Sequence, residues 1–284
     1  MDGRAVAPAA GTVLNALATG VGSAFAIDFD VTASVSLDPD ASRVTGEVVD
    51  HPGADTALVE RCVSLVTEEF GDGEGGTVRT ETEIPLASGL KSSSAAANAT
   101  VLATLDALGR AEEVQRVDAA RVGVQAARET GVTVTGAFDD ASASMLGGLT
   151  MTDNEADELL FREEVEWDAV VWTPPRQSFS ADADVTRCEH VAPLAEHVAD
   201  LAARGQYGTA MTVNGLAFCA ALDFPAAPIV DALPHADGAS LSGTGPSYVA
   251  VGERAALKEV KSVWNENPGT VRLTTTRPDG ARTT

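Results

Sequence analysis

The sequence predicts an α+β fold, and three observations carry that prediction. Strand-like stretches rich in Val, Ile, Phe and Thr recur at short, hairpin-like spacings. Helical periodicities fall between them in pairs instead of alternating one strand with one helix, which argues against a doubly wound parallel sheet. The 284-residue chain is long enough to bury a sizeable core, as one large domain or two smaller ones.

Ser23 to Leu37 alternates apolar and polar residues, and Arg43 to Val49 is expected to pair with it across the turn Asp38-Pro39-Asp40-Ala41-Ser42. A helix is expected from Ala54 to Phe70 and a further strand from Thr77 to Glu83. The next helix follows Ser92, with Val101, Leu102, Leu105 and Leu108 as its apolar side. Glu112 to Glu129 carries Val117, Ala120, Val124 and Ala127 at helical spacing and is closed by Gly131. Asp139 to Leu146 reads as a short helix after a glycine-containing turn.

From Gly148 the pattern turns to strands at Leu149 to Thr152, Glu158 to Arg162 and Ala169 to Thr173. Helices are expected over His190 to Ala203 and Gly208 to Ala221, then strands over Gly238 to Ser242, Ser247 to Val251 and Thr270 to Thr276. The acidic loop Thr152 to Asp157 is the expected joint between halves of residues 1–153 and 154–284, and the tail Arg277 to Thr284 is expected to fray.

The most informative segment is Pro85-Leu86-Ala87-Ser88-Gly89-Leu90-Lys91-Ser92-Ser93-Ser94-Ala95. A glycine turn leads into a triple-serine step that opens a helix of small residues. Gly89 lets backbone approach a ligand, and the serines add hydroxyls to first-turn N–H groups that a helix cannot satisfy internally. Together with the helix dipole, these donors favour a phosphate. A serine-capped helix without a ligand is the plainer reading of the same residues. The Walker A spacing, G-x-x-x-x-G-K-[ST], is excluded, because Leu90 and not a glycine stands immediately before Lys91.

This segment resembles the second signature of the GHMP kinases, small-molecule kinases named for galactokinase, homoserine kinase, mevalonate kinase and phosphomevalonate kinase. Leu241-Ser242-Gly243-Thr244-Gly245-Pro246-Ser247 resembles their third signature, and Ala7 to Asp28 resembles the first more loosely. The lysine in the second signature and the run Thr135-Gly136-Ala137-Phe138-Asp139-Asp140-Ala141 are similar to the archaeal shikimate kinases within that superfamily. The resemblance spans nearly the full length. It implies a two-lobed fold, a ribosomal protein S5 domain 2-like N-terminal lobe with the ATP-binding motif and an α/β-plait C-terminal lobe. It also implies ATP-dependent phosphorylation of the 3-hydroxyl of shikimate with Mg2+.

Roles follow from the resemblance residue by residue. Pro85 to Ala95 would bind ATP, with Lys91 beside the phosphates or the acceptor. Ser93 and Glu129 would approach magnesium, whose preference is for hard oxygen ligands. Asp139 would act near the acceptor hydroxyl, with Asp140 as the neighbouring alternative; an Asp-Asp pair is a poor signal by itself in so acidic a chain. Gly243 and Gly245 would pack against the cradle. Arg4, Arg128 and Arg176 are unranked candidates for a substrate carboxylate.

Composition sets the outer bounds. Asp plus Glu number 42 against 19 Lys plus Arg, a formal net charge of −23, which argues against nucleic acid or an anionic membrane as partner. Only Lys91, Lys258 and Lys261 are lysines, and the balance suits the salt-rich cytoplasm of a halophile. Cys62, Cys188 and Cys219 and the histidines His51, His190, His197 and His235 are scattered, without metal-ligand spacing, and are read as buried thiols and ordinary histidines. The first residues lack a signal-peptide pattern, and no apolar stretch reaches membrane-spanning length.

Overall fold

Strands β1 (Asp2–Leu14) and β2 (Val21–Asp38) form a long antiparallel pair that frames the larger of two sheets. The computed structural model describes residues 1–284 apart from 50, 85–87, 134–135 and 177–183. One edge of β2 serves two partners, because its 18 residues are long enough to be divided. Val31 to Asp38 pairs with β4 (Gly75–Thr82), and Val21 to Phe25 pairs with β5 (Leu149–Asp153), both antiparallel. β6 (Glu158–Glu163) continues outward from β5, and β11 (Arg282–Thr283) lies on the outer side of β1.

The pairing expected between Arg43–Val49 and β2 does not form. β3 (Val44–Val48) lies outside β4 and parallel to it, with helix α1 (Ala57–Phe70) as the crossover between them. A parallel partner needs a connection of this length, whereas a tight turn would have forced an antiparallel hairpin.

Helix α2 (Ser92–Ala107) packs on β1 and β2 and is flanked by α1, α3 (Arg116–Glu129) and α4 (Phe138–Leu146). Its alanines, threonines and leucines are buried from Ala97 to Leu105, as expected of a helix enclosed on every side. The small side chains bring neighbouring backbones close and hold the N-terminus of α2 at a fixed place.

The smaller sheet has the order β10 (Thr270–Thr275), β7 (Asp168–Thr173), β9 (Tyr248–Gly252), β8 (Gly238–Leu241), antiparallel throughout. α7 (Tyr207–Leu222) packs on β8 and beside α6 (Ala192–Ala203), after the short α5 (Val185–Glu189). α8 (Ala227–Ala232) and α9 (Arg254–Trp264) complete this half; α9 buries Leu257, Val260 and Trp264 at helical spacing. Trp172 stacks on Tyr248 with ring centroids 5.5 Å apart and meets Trp264 at 6.4 Å, anchoring this core.

Two expectations are corrected here. The boundary at residue 153 falls inside the β5–β6 hairpin, so Glu158–Glu163 remains in the larger sheet. The tail is tied down: Arg277 pairs with Asp28 at 2.9 Å and Asp30 at 3.2 Å, Ala281 is buried, and β11 pairs with Ala5 and Val6. Among the described residues, no helix is long and apolar enough to cross a membrane.

Candidate active site

α2 starts abruptly because Lys91 adopts a left-handed backbone, with φ of 64°. No side chain caps the helix, so its first-turn N–H groups and the positive end of its dipole are left for a ligand. Ser93 is exposed, and Ser92 and Ser94 are half-buried beside it. Leu90 and Ala95 point into the core and can offer only backbone. The expected cradle residues Pro85, Leu86 and Ala87 lie outside the described residues, as does Thr135.

The cradle is sewn to the glycine loop between β8 and β9. Ser242 donates its hydroxyl to Gly89 O at 2.9 Å, and Ser247 N–H donates to Ser88 O at 3.0 Å. A Cβ on Gly89 would lie 2.5 Å from Ser242 O and 2.6 Å from Gly245 O. The close approach at Gly89 is therefore to this loop, where the sequence suggested a ligand. Gly243 has φ of 56°, and a Cβ there would stand 2.8 Å from Lys91 Nζ, so glycine makes room for the amine.

A polar network from three elements holds that loop. Gly243 N–H donates to Thr12 Oγ1 at 2.8 Å, Asn15 Nδ2 donates to Gly243 O at 2.9 Å, and Asn15 N–H donates to Asn214 Oδ1 at 2.9 Å. Asn15 and Asn214 are buried, which makes unmet hydrogen bonds there costly. The structure thus brings the first and third signatures to the second, with α7 as their brace.

α4 presents two adjacent aspartates, and their surroundings differ. Asp140 pairs with Lys91 across a Nζ–Oδ1 distance of 2.7 Å. Burial foremost, and then the charge of Asp139, push its carboxyl up to about 7 against the opposing pull of Lys91. Asp139 accepts a hydrogen bond from Asn154 Nδ2 at 2.8 Å, and its other carboxylate oxygen lies against Gly22. A lysine, two buried carboxylates and an open helix N-terminus thus gather at one place, the groups needed to neutralise phosphate charge and take up a hydroxyl proton.

Glu129 does not join them. Its carboxylate is bound by Arg61 at 2.5 Å and by Gln125 at 2.8 Å, and those partners hold it below the usual carboxylate range on the surface between α3 and α1. The expected magnesium ligand Glu129 is thus already paired, and among the described residues no group of three or more His, Cys, Asp or Glu could hold a metal ion. Arg128 is likewise committed, to Asp157 at 2.6 Å and to Asn154 O at 3.0 Å. Arg4 lies exposed near the start of β1. Arg176 sits over the Phe224 ring at 4.7 Å, and that ring faces Gly245 in the glycine loop.

Sequence reasoning singled out none of Thr12, Asn15, Asn214 and Asn154 by its own role, although the first two lie in the first-signature run. The available signals were the Ala7 to Asp28 segment that holds Thr12 and Asn15, and an amide at Asn154 within the acidic loop Thr152 to Asp157, the expected joint. The three cysteines are buried and free, and burial raises the Cys62 thiol to about 12, in line with inert core positions.

Comparison with known proteins shows the family. Residues 57–148 match the family described as GHMP kinases N terminal domain. Over 284 residues, all of both chains, the protein is 75% identical to a shikimate kinase of Halobacterium salinarum. The chain belongs to the shikimate kinases of GHMP type. A shikimate kinase of Methanococcoides burtonii is 50% identical over 94% of this chain and 93% of its own. The fold is shared more widely. A homoserine kinase structure from Cytophaga hutchinsonii superposes with a TM-score of 0.76 at 19% identity, covering 100% of this chain and 97% of that one. The Methanococcus jannaschii mevalonate kinase gives 0.76 at 14% identity, covering 97% and 98%. Members of the GHMP group thus keep this two-sheet frame while their sequences diverge.

Proposed function

We propose that this protein transfers the γ-phosphate of ATP to the 3-hydroxyl of shikimate, giving shikimate 3-phosphate and ADP. The observation that carries the site reading is the convergence of Lys91, Asp139 and Asp140 beside the uncapped start of α2. Full-length identity to shikimate kinases supports the acceptor.

In this reading the nucleotide phosphates lie against the α2 N-terminus and the serines, and Lys91 offsets their charge. Asp139 accepts the proton as the 3-hydroxyl oxygen bonds to the γ-phosphorus. The bond from that phosphorus to its bridging oxygen breaks, and ADP leaves with the electron pair. Asp140 holds Lys91 in place. Magnesium, when bound, neutralises phosphate charge; Ser93 remains an oxygen donor for it at the cradle, whereas Glu129 does not fit that role because Arg61 already binds it.

A coupled ADP-release assay in multimolar potassium chloride, with magnesium, ATP and either shikimate, homoserine, mevalonate or galactose, tests the proposal. Turnover with shikimate alone is expected. Turnover with another acceptor only would move the substrate, and no turnover in a folded protein would reject catalysis altogether.

A further inference from the structure

We propose that Asn154 is the positioning residue for Asp139 and fixes which carboxylate oxygen faces the acceptor. The inference rests on the reading of Asp139 as proton acceptor. Asn154 is 1% exposed, in the turn between β5 and β6, and every polar atom it has is engaged. Its Oδ1 accepts from Asp139 N–H at 3.0 Å and from the Thr152 hydroxyl at 2.8 Å, while Nδ2 donates to Asp139 Oδ1 at 2.8 Å.

That pattern leaves the amide one orientation. A backbone N–H can only donate and a carboxylate only accepts, so the oxygen must face the N–H and the nitrogen the carboxylate. Asp139 thus presents a donor and an acceptor to one side chain, and the amide answers both. The turn itself is anchored, because Asn154 N–H donates to Gly20 O at 2.9 Å and Arg128 donates to Asn154 O at 3.0 Å.

On the far side, a Cβ on Gly22 would lie 2.6 Å from Asp139 Oδ2. Gly22 makes room for the Asp139 side chain as a whole, since Cγ is as close as Oδ2; with Oδ1 bound by Asn154, Oδ2 is the oxygen left to take a proton. The charged groups facing this pair are Asp140 on α4 and Lys91 at the start of α2, and the turn that carries Asn154 also bears Asp153, Glu155 and Asp157, with Arg128 bound to it.

Steady-state kinetics over pH, on wild type, Asn154→Ala, Asn154→Asp, Asp139→Asn and the Asp139→Asn/Asn154→Ala double variant, test this. Asn154→Ala is expected to lower kcat about 10-fold or more while KM for ATP and shikimate changes less than about 2-fold, since misorientation penalises the reacting geometry more than binding. Asn154→Asp keeps size and both accepted bonds but sets carboxylate against carboxylate. Its acid limb is expected to rise by about one pH unit or more, with activity recovering at alkaline pH. In the Asp139→Asn background, Asn154→Ala is expected to cost little more.

An unshifted acid limb in Asn154→Asp, or an undiminished loss from Asn154→Ala when Asp139 is already Asn, overturns the positioning role. Should Asn154→Ala fail to fold, the pH profile of Asn154→Asp decides. Full activity in Asp139→Asn alone instead overturns the proton-acceptor reading, a result separable from the others.

Discussion

Lys91 and Asp140 show how much a residue's partner matters. Asp140 is raised to about 7, so the folded protein binds a proton that the unfolded chain has already released above the ordinary carboxylate range. Stability from this residue therefore falls as pH climbs from that range to about 7, and the cost is complete above it. Asp140→Asn removes the effect, so its stability relative to wild type is expected to increase between about pH 5 and 8. Denaturation midpoints at both values in one salt concentration check this; an unchanged difference would mean that Lys91 compensates the buried charge fully. Asp139→Asn, by contrast, is expected to lower turnover by a factor on the order of 100 or more with ATP affinity nearly intact. Single-turnover phosphate transfer alongside nucleotide titration separates the two effects, and undiminished transfer would remove Asp139 from the mechanism. Lys91 and Asp139 draw the eye in the sequence because glycines and serines stand near them in an unusual order, and the fold brings Lys91 onto Asp140 beside Asp139. The expectation for Glu129 rested on spacing along the chain, which does not fix which way a helix turns its side chain, and here α3 turns it to Arg61. Asn154 was illegible because its role exists only once a turn 15 residues away folds back onto Asp139.

Among the elements, the loop between β8 and β9 carries most of the consequence. Gly243→Ala introduces a side chain at φ of 56° and drives its Cβ to 2.8 Å from Lys91 Nζ. The expected outcome is a loss of about 1–3 kcal/mol of stability from backbone strain and weaker nucleotide binding as Lys91 is displaced. Calorimetric ATP titration beside thermal denaturation measures both; wild-type affinity would show that the lysine relocates freely. Legibility at this scale followed composition. β2 and β4 were visible through alternation and β-branched residues, whereas β1 was not, since Asp2 to Ala10 is dominated by Ala, Gly and Pro and is strand only because β2 and α2 enclose it. β3 was found, but its partner was not. Adjacency favoured β2, while the crossover through α1 placed it beside β4.

For the whole molecule, charge is the dominant physical fact. With a net charge of −23, self-repulsion opposes compaction, and salt at about 1 M shortens its range to roughly 3 Å. The thermal midpoint is expected to rise by about 10 °C or more between low and multimolar potassium chloride. A flat midpoint would show that the carboxylates are spaced widely enough not to matter. The class α+β was readable from the spacing of strands and helix pairs, but the division into halves was not, because no local pattern marks which sheet a strand will join.

The placement of β11 and β6 limits how this protein can be taken apart. The smaller sheet is an insertion in the path of the larger one, which is left after β6 and rejoined at β11. A cut at residue 153 would strip two strands from the first fragment and leave them without a sheet in the second, baring the edges of β1 and β5 to other chains. Two-piece reporters or separately expressed halves divided there would aggregate before they could complement each other.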